Sequence, residues 1–255
     1  MERDCHMEYR QETIAGRNSV REALRSGRPI DSLLVAKGQR TKECGDIVAQ
    51  CRKRGIPVKE IDSRKMDSIC GGTTHQGVAV LVAQQEYATL DDIFALAESR
   101  GEPPLIVVAD NIEDPHNLGA IVRTVEASGA HGIVVPKRRS AGLTLAVSKA
   151  SAGALEYVPV ARVANIPAAL EQLKERGVWI YAVDMDGSTW CETDLTGPVA
   201  LVLGSEGNGI GRLVKEKCDF VLSLPMRGKI SSLNVSVAAG VVLYEVARQR
   251  LGLGR

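Results

Sequence analysis

From Leu105 onward the chain alternates short unbroken apolar runs with stretches of helical periodicity. Runs at about 105–109, 132–135, 156–160, 178–183, 199–203 and 220–224 read as strands buried on both faces, and a last helix is expected from Leu233 to Arg250. That alternation predicts an α/β domain on a mostly parallel sheet with helices on both faces. Upstream the pattern is shorter and more polar. Helices are expected at Arg17–Arg25 and Lys42–Arg54, closed by Gly27 and Gly55, and a short one before Gly71-Gly72. Strands are expected at Asp31–Ala36, Ile56–Ile61 and Val78–Ala83. Residues 1–83 therefore read as a small α/β domain and 104–255 as a larger one. Residues 84–103 read as a linker, with a Thr89-capped helix (Leu90 to Glu98), Gly101 and Pro103-Pro104.

Three strand ends lead into polar turns. Leu-Ile-Val-Val-Ala-Asp (105–110) runs into Asn-Ile-Glu-Asp-Pro-His-Asn-Leu-Gly-Ala-Ile-Val-Arg (111–123), where Pro115 favours a turn and Asn117 is placed to cap a helix. Asn117 and Arg123 are six apart, so on one helix they face different neighbours. Leu-Val-Leu-Gly-Ser-Glu-Gly-Asn-Gly-Ile (201–210) displays Glu206 among glycines, and Leu-Pro-Met-Arg-Gly-Lys-Ile-Ser-Ser-Leu-Asn-Val-Ser-Val-Ala (224–238) brings Ser231, Ser232 and Asn234 to a helix start. Glycines after a strand let backbone approach a ligand closely, and a helix start offers free N–H groups. Two such turns point to a small-molecule pocket at the carboxyl ends of parallel strands.

These stretches resemble, in order and spacing, the three signature motifs of the SpoU/TrmH family of S-adenosylmethionine-dependent RNA ribose 2′-O-methyltransferases. The resemblance spans about residues 8–250. Arg-Arg-Ser-Ala-Gly-Leu-Thr (138–144) and Lys-Ala-Ser-Ala-Gly-Ala-Leu-Glu (149–156) are similar to the subgroup acting on a guanosine of 23S ribosomal RNA. It implies a SPOUT-type parallel sheet with a C-terminal deep trefoil knot, preceded by a small α/β RNA-binding domain of the L30e/L7Ae type. By motif matching it assigns functional positions to Asn117, Arg123, Glu206, Ser232 and Asn234, and donor-binding positions to Leu203, Gly204, Gly207, Ile210, Leu224, Met226 and Leu233. Arg123 is expected to clamp a phosphate and stabilise charge on the 2′ oxygen, because a guanidinium is a poor base. RNA contacts are expected at Arg17, Asn18, Arg21, Arg25, Lys37, Arg40, Lys42 and Arg52 through Arg54. A homodimer with catalytic sites at its interface is also implied. Two other readings stand beside it: transfer RNA as substrate, and a non-catalytic RNA-binding assembly factor, which would not need all five functional residues.

Charge and composition add a little. Residues 1–83 hold 15 Lys+Arg against 11 Asp+Glu, and the remainder 17 against 20, so a basic part precedes an acidic one. The six cysteines form no Cys-x-x-Cys pair and the four histidines show no ligand spacing, so no metal site is expected. Scattered cysteines point to a reducing, cytoplasmic compartment, and no segment reads as a signal peptide or membrane span. Nine aromatic residues leave little material for a stacking sandwich. The donor pocket is therefore expected to be aliphatic, with backbone groups reading the adenine edge.

Overall fold

The computed structural model describes residues 11–26, 30–37, 44–83 and 86–254. In chain order the first elements are β1 (Gln11–Ala15), α1 (Arg17–Arg25), β2 (Ile30–Ala36), α2 (Gly45–Lys53), β3 (Val58–Ile61), α3 (Ser63–Ile69) and β4 (Val78–Ala83). Next come α4 (Leu90–Arg100), β5 (Leu105–Ala109), α5 (Pro115–Ala127), β6 (Gly132–Pro136), α6 (Leu145–Ala150) and β7 (Val160–Val163). The chain finishes with α7 (Ile166–Glu175), β8 (Trp179–Thr189), β9 (Val199–Leu203), α8 (Arg212–Lys215), β10 (Phe220–Ser223) and α9 (Val235–Arg250). These elements form two units: residues up to Glu86 with Leu143–Glu156, and Tyr87–Gly142 with Tyr157–Arg255.

The first unit is a four-stranded mixed sheet in the order β1-β4-β2-β3. The alternation along β2 sends Leu33 and Val35 into a core with Val20, Leu24 and Ile47 of α1 and α2, and Leu34 and Ala36 to the opposite face with Met66 and Cys70. The strand β1, antiparallel to β4, was not anticipated from the sequence. Helix α6 belongs to this unit and packs beside β1, so 143–156 leaves the larger domain to which the sequence pattern assigns it.

The second unit is a six-stranded sheet, β10-β8-β9-β5-β6-β7, with every neighbouring pair parallel. All five residues of β5 and of β9 are buried, which explains their uninterrupted apolar runs. Helix α4 is capped by a Thr89–Asp92 box and ended by Gly101 in the left-handed conformation. Its Leu90 and Ile93 join the core made with β5, β6, β8, β9 and α7. The 84–103 stretch is therefore largely a packed part of this unit rather than a linker. The strand expected at 156–160 lies later, at β7, and Ala154–Glu156 forms a 3-10 turn. Asn117 lies inside α5, which Asp114 caps by accepting the His116 N–H at 2.9 Å, with Pro115 at the first helical position. Among the described residues no helix is long and apolar enough to cross a membrane, and no group of three His, Cys, Asp or Glu could hold a metal.

Candidate active site

The strands of the larger sheet share one direction, so the turns after β5, β8, β9 and β10 gather at one edge. The turn after β9 is closed on itself. Ser205 and Gly209 exchange backbone hydrogen bonds of 3.1 and 2.9 Å, and Gly207 and Gly209 take positive φ values of 93° and 65°. Gly204 has no room for a side chain: a Cβ there would stand 2.2 Å from the Gly209 carbonyl carbon. Its first task is thus to close the turn on which the site is built. Asp110, buried at the end of β5, fastens the far side of this turn through the Gly211 N–H at 2.8 Å.

Against this turn lies a cavity of about 310 Å³, within the size range of small-molecule sites. Leu203, Gly204, Gly207, Leu224, Met226 and Leu233, all anticipated as donor-binding residues, line it together with Glu206 and Ser232. Ile210 does not. Once the Ser205–Gly209 bridge has closed, the chain returns inward, and Ile210 joins the core at 8 % exposure. Val183, Asp184 and Met185 form a further wall that the sequence did not reveal. The β8–β10 register explains them: Val221 pairs with Ala182 but Leu222 pairs with Ser188, so residues 183–187 bulge from the ladder. Burial opposes ionisation of Asp184, but its 2.7 Å bond to the Lys215 ammonium holds its carboxyl below the usual range. The lining is mainly aliphatic and backbone, with no aromatic ring, and so suits a purine held by main-chain groups between apolar side chains.

Three polar side chains meet at the rim. Asn234 Nδ2 donates to Asn117 Oδ1 at 2.9 Å and to Glu206 Oε1 at 2.5 Å, and Asn117 Nδ2 donates to the same Glu206 oxygen at 3.1 Å. Asn234 is also the N-cap of α9, its Oδ1 accepting from the Ser236 and Val237 N–H groups. With the oxygen engaged by the helix, the amide nitrogen must face Glu206, so the cap fixes the orientation of the cluster. Ser232 lines the cavity but does not cap α9. Arg123 stands apart. It is six residues along α5 from Asn117, about 9 Å up the axis and a third of a turn around it. It is exposed and makes no hydrogen bond or ion pair among the described residues.

The residues expected to touch RNA lie in the first unit. Asn18, Lys37 and Arg52 are exposed. Arg17 is tied to Gln76, through its own N–H to Oε1 at 3.0 Å and its Nε to the carbonyl at 3.2 Å, which anchors the Gly71–Gly77 loop. Arg21 pairs with Asp46 at 2.9 Å, Arg25 with Glu22 at 2.6 Å, and Arg54 donates to the Leu24 carbonyl. Lys53 is exposed, and Arg40 and Lys42 fall outside the described residues.

Comparison with known proteins agrees with this geometry. The profile of the SpoU rRNA methylase family matches residues 104–244, and that of RNA 2′-O ribose methyltransferase substrate binding matches 13–88. The Bacillus subtilis protein YacO, named for the TrmH family of tRNA/rRNA methyltransferases, is 47 % identical over 249 residues, covering 97 % of this chain and 100 % of the relative. A protein of Mycolicibacterium vanbaalenii named as an uncharacterized tRNA/rRNA methyltransferase is also 47 % identical, over 94 % of this chain and 77 % of its own length. The SpoU methyltransferase AviRb of Streptomyces viridochromogenes, solved with AdoMet, superposes with a TM-score of 0.80 at 25 % identity, covering 95 % and 91 % of the two chains. The AdoMet-bound rRNA methyltransferase of Sinorhizobium meliloti gives 0.79 at 28 % identity, covering 96 % and 89 %. The chain belongs to the SpoU/TrmH family of S-adenosylmethionine-dependent RNA methyltransferases.

Proposed function

We propose that this enzyme methylates the ribose 2′-hydroxyl of a guanosine in 23S ribosomal RNA, working as a homodimer. The observation that carries the reading is the position of Glu206. It lines the aliphatic cavity and also holds the polar amide cluster, so it joins a donor site to a substrate site. Leu203, Gly204, Gly207, Leu224, Met226 and Leu233 hold S-adenosylmethionine, which supplies a methyl group already activated on a sulfonium sulfur. Asn117 and Asn234 keep the Glu206 carboxylate in one orientation at the rim, and Ser232 offers a hydroxyl to the incoming ribose or phosphate.

The 2′-hydroxyl is a weak nucleophile, so the protein must orient it and stabilise charge on its oxygen. No imidazole lines the cavity. Arg123 serves as the electrostatic partner, clamping a phosphate and stabilising the 2′ oxygen while the hydroxyl proton leaves to phosphate or water. Within one chain Arg123 is not gathered with the amide cluster, and α9 exposes Val237, Val241 and Tyr244 at helical spacing. A second subunit seated on that stripe would cover it and bring Arg123 of one copy to the cluster of the other. The C-terminal segment is read as the trefoil knot of the family, and the first unit as the RNA-recruiting module. The exposed Asn18, Lys37, Arg52 and Lys53 and the Gly71–Gly77 loop are its assigned contacts.

The test is methylation mapping of ribosomal and transfer RNA from a strain lacking this enzyme. Loss of one 2′-O-methylguanosine from 23S RNA is expected. Loss confined to transfer RNA would replace the substrate, and no loss anywhere would remove the activity.

A further inference from the structure

A second cleft, of about 570 Å³, adjoins the donor cavity and shares Ser205, Glu206, Gly209 and Val235 with it. Its other walls come from the turn after β5 and the loop after β6, and include Glu113, Asp114, Asn117 and Arg139. The two segments are joined by the Ala141 N–H, which donates to the Ile112 carbonyl at 2.9 Å. Asn111 and Arg139, one from each segment, both hold the left-handed backbone conformation at φ 58°.

Most polar groups of this cleft already have partners. Asp114 caps α5, and Asn117 and Glu206 belong to the amide cluster. Glu113 and Arg139 are different: both are exposed, and neither has a hydrogen-bond or ion-pair partner among the described residues, the other included. A carboxylate and a guanidinium that share a cleft without pairing are free to meet a ligand carrying donors on one edge and acceptors on another. Resting on the reading above, the ribose to be methylated sits at Glu206, and the base attached to it reaches the adjoining space.

We infer that this cleft receives the target base and selects guanine, with Glu113 accepting from N1–H and the 2-amino group and Arg139 donating to O6 and N7. Among the four bases only guanine presents two adjacent N–H donors to a bidentate carboxylate, and its O6 and N7 match an arginine fork. Glu113 and Arg139 are thus specificity-determining residues for the transfer.

The experiment uses the full-length protein and a short RNA bearing the mapped target nucleotide, made with guanosine or with inosine, which lacks the 2-amino group. Wild-type kcat/KM is expected to fall about 10-fold or more from guanosine to inosine. Glu113→Ala should lose about 10-fold or more on guanosine while its guanosine-to-inosine ratio approaches one. Arg139→Gln should lower both substrates alike. Calorimetry should give unchanged S-adenosylmethionine affinity in both variants, which separates base selection from damage to the fold. Wild-type kcat/KM and discrimination in both variants would overturn the inference, as would a target other than guanosine. A wild-type enzyme that methylates no RNA would instead remove the underlying reading, and this inference with it.

Discussion

Asn234 Nδ2 donates to Asn117 Oδ1 across 2.9 Å, joining the start of α9 to the first turns of α5 from positions 117 residues apart. The same nitrogen holds Glu206, while the Asn234 oxygen caps its own helix. Substitution separates these two roles. Asn234→Asp keeps an acceptor at the helix start but removes the donor and sets a carboxylate against Glu206. A hydrogen bond to a charged group is worth about 1.5–3 kcal/mol, so methyl transfer should fall by at least about 10-fold. Asn234→Ala should lose transfer and also about 1 kcal/mol of stability with the cap. Single-turnover rates and urea midpoints check both variants, and wild-type transfer by Asn234→Asp would take the amide cluster out of the mechanism.

Gly204 is constrained by its own turn. Because a Cβ at this position would stand 2.2 Å from Gly209 and 2.3 Å from the Ile210 nitrogen, Gly204→Ala must open the loop. Donor affinity should drop about 10-fold or more, with a stability loss of about 1–3 kcal/mol from overpacking. At Gly207 a Cβ meets nothing within 4 Å, but φ is 93°, so Gly207→Ala should cost about 1–2 kcal/mol in backbone strain alone. Calorimetric titration with S-adenosylmethionine reads the difference. An unchanged Kd in Gly204→Ala would mean that the donor binds elsewhere.

His131 should make stability depend on pH. It is fully buried; its Nδ1 accepts the Leu105 N–H at 3.0 Å, which leaves Nε2 to donate to Glu102 at 3.0 Å. Burial pushes the imidazole below its ordinary value, and Glu102 opposes this only in part. The unfolded chain therefore takes up the proton first, near pH 6.5. The contribution is complete above that value and is lost as pH falls through the folded pKa, by at most about 1.4 kcal/mol per pH unit. Between pH 7.5 and 5.0 the wild type should lose more stability than His131→Asn. Parallel losses would show that the ring does not resist protonation.

Much of the larger unit was legible because its strands are buried on both faces. The apolar runs of β5 and β9 are found where the periodicity puts them, and the glycine turn after β9 lines a cavity as its residues suggest. What escaped depends on distant partners. Gln-Glu-Thr-Ile-Ala becomes β1 only by pairing with β4, and Val-Asp-Met-Asp-Gly looks like a loop until the β10 register makes it a bulge. Asp110 reaches Gly211 across 101 positions, which no local pattern reports. Asp114 rather than Asn117 caps α5, because Pro115, read as a turn residue, is itself the first residue of the helix.

The most direct test of the two-subunit site mixes two variants. Arg123→Ala alone should transfer methyl groups at least about 100-fold more slowly, since one preorganised electrostatic donor is worth about 2.7–4 kcal/mol, while binding S-adenosylmethionine normally. Asn234→Asp alone is also impaired. When the two are unfolded together and refolded at equal concentration, random pairing in a symmetric dimer makes half the dimers mixed, each with one intact site, so about a quarter of wild-type activity should return. A mixture no more active than its parents would contradict the account.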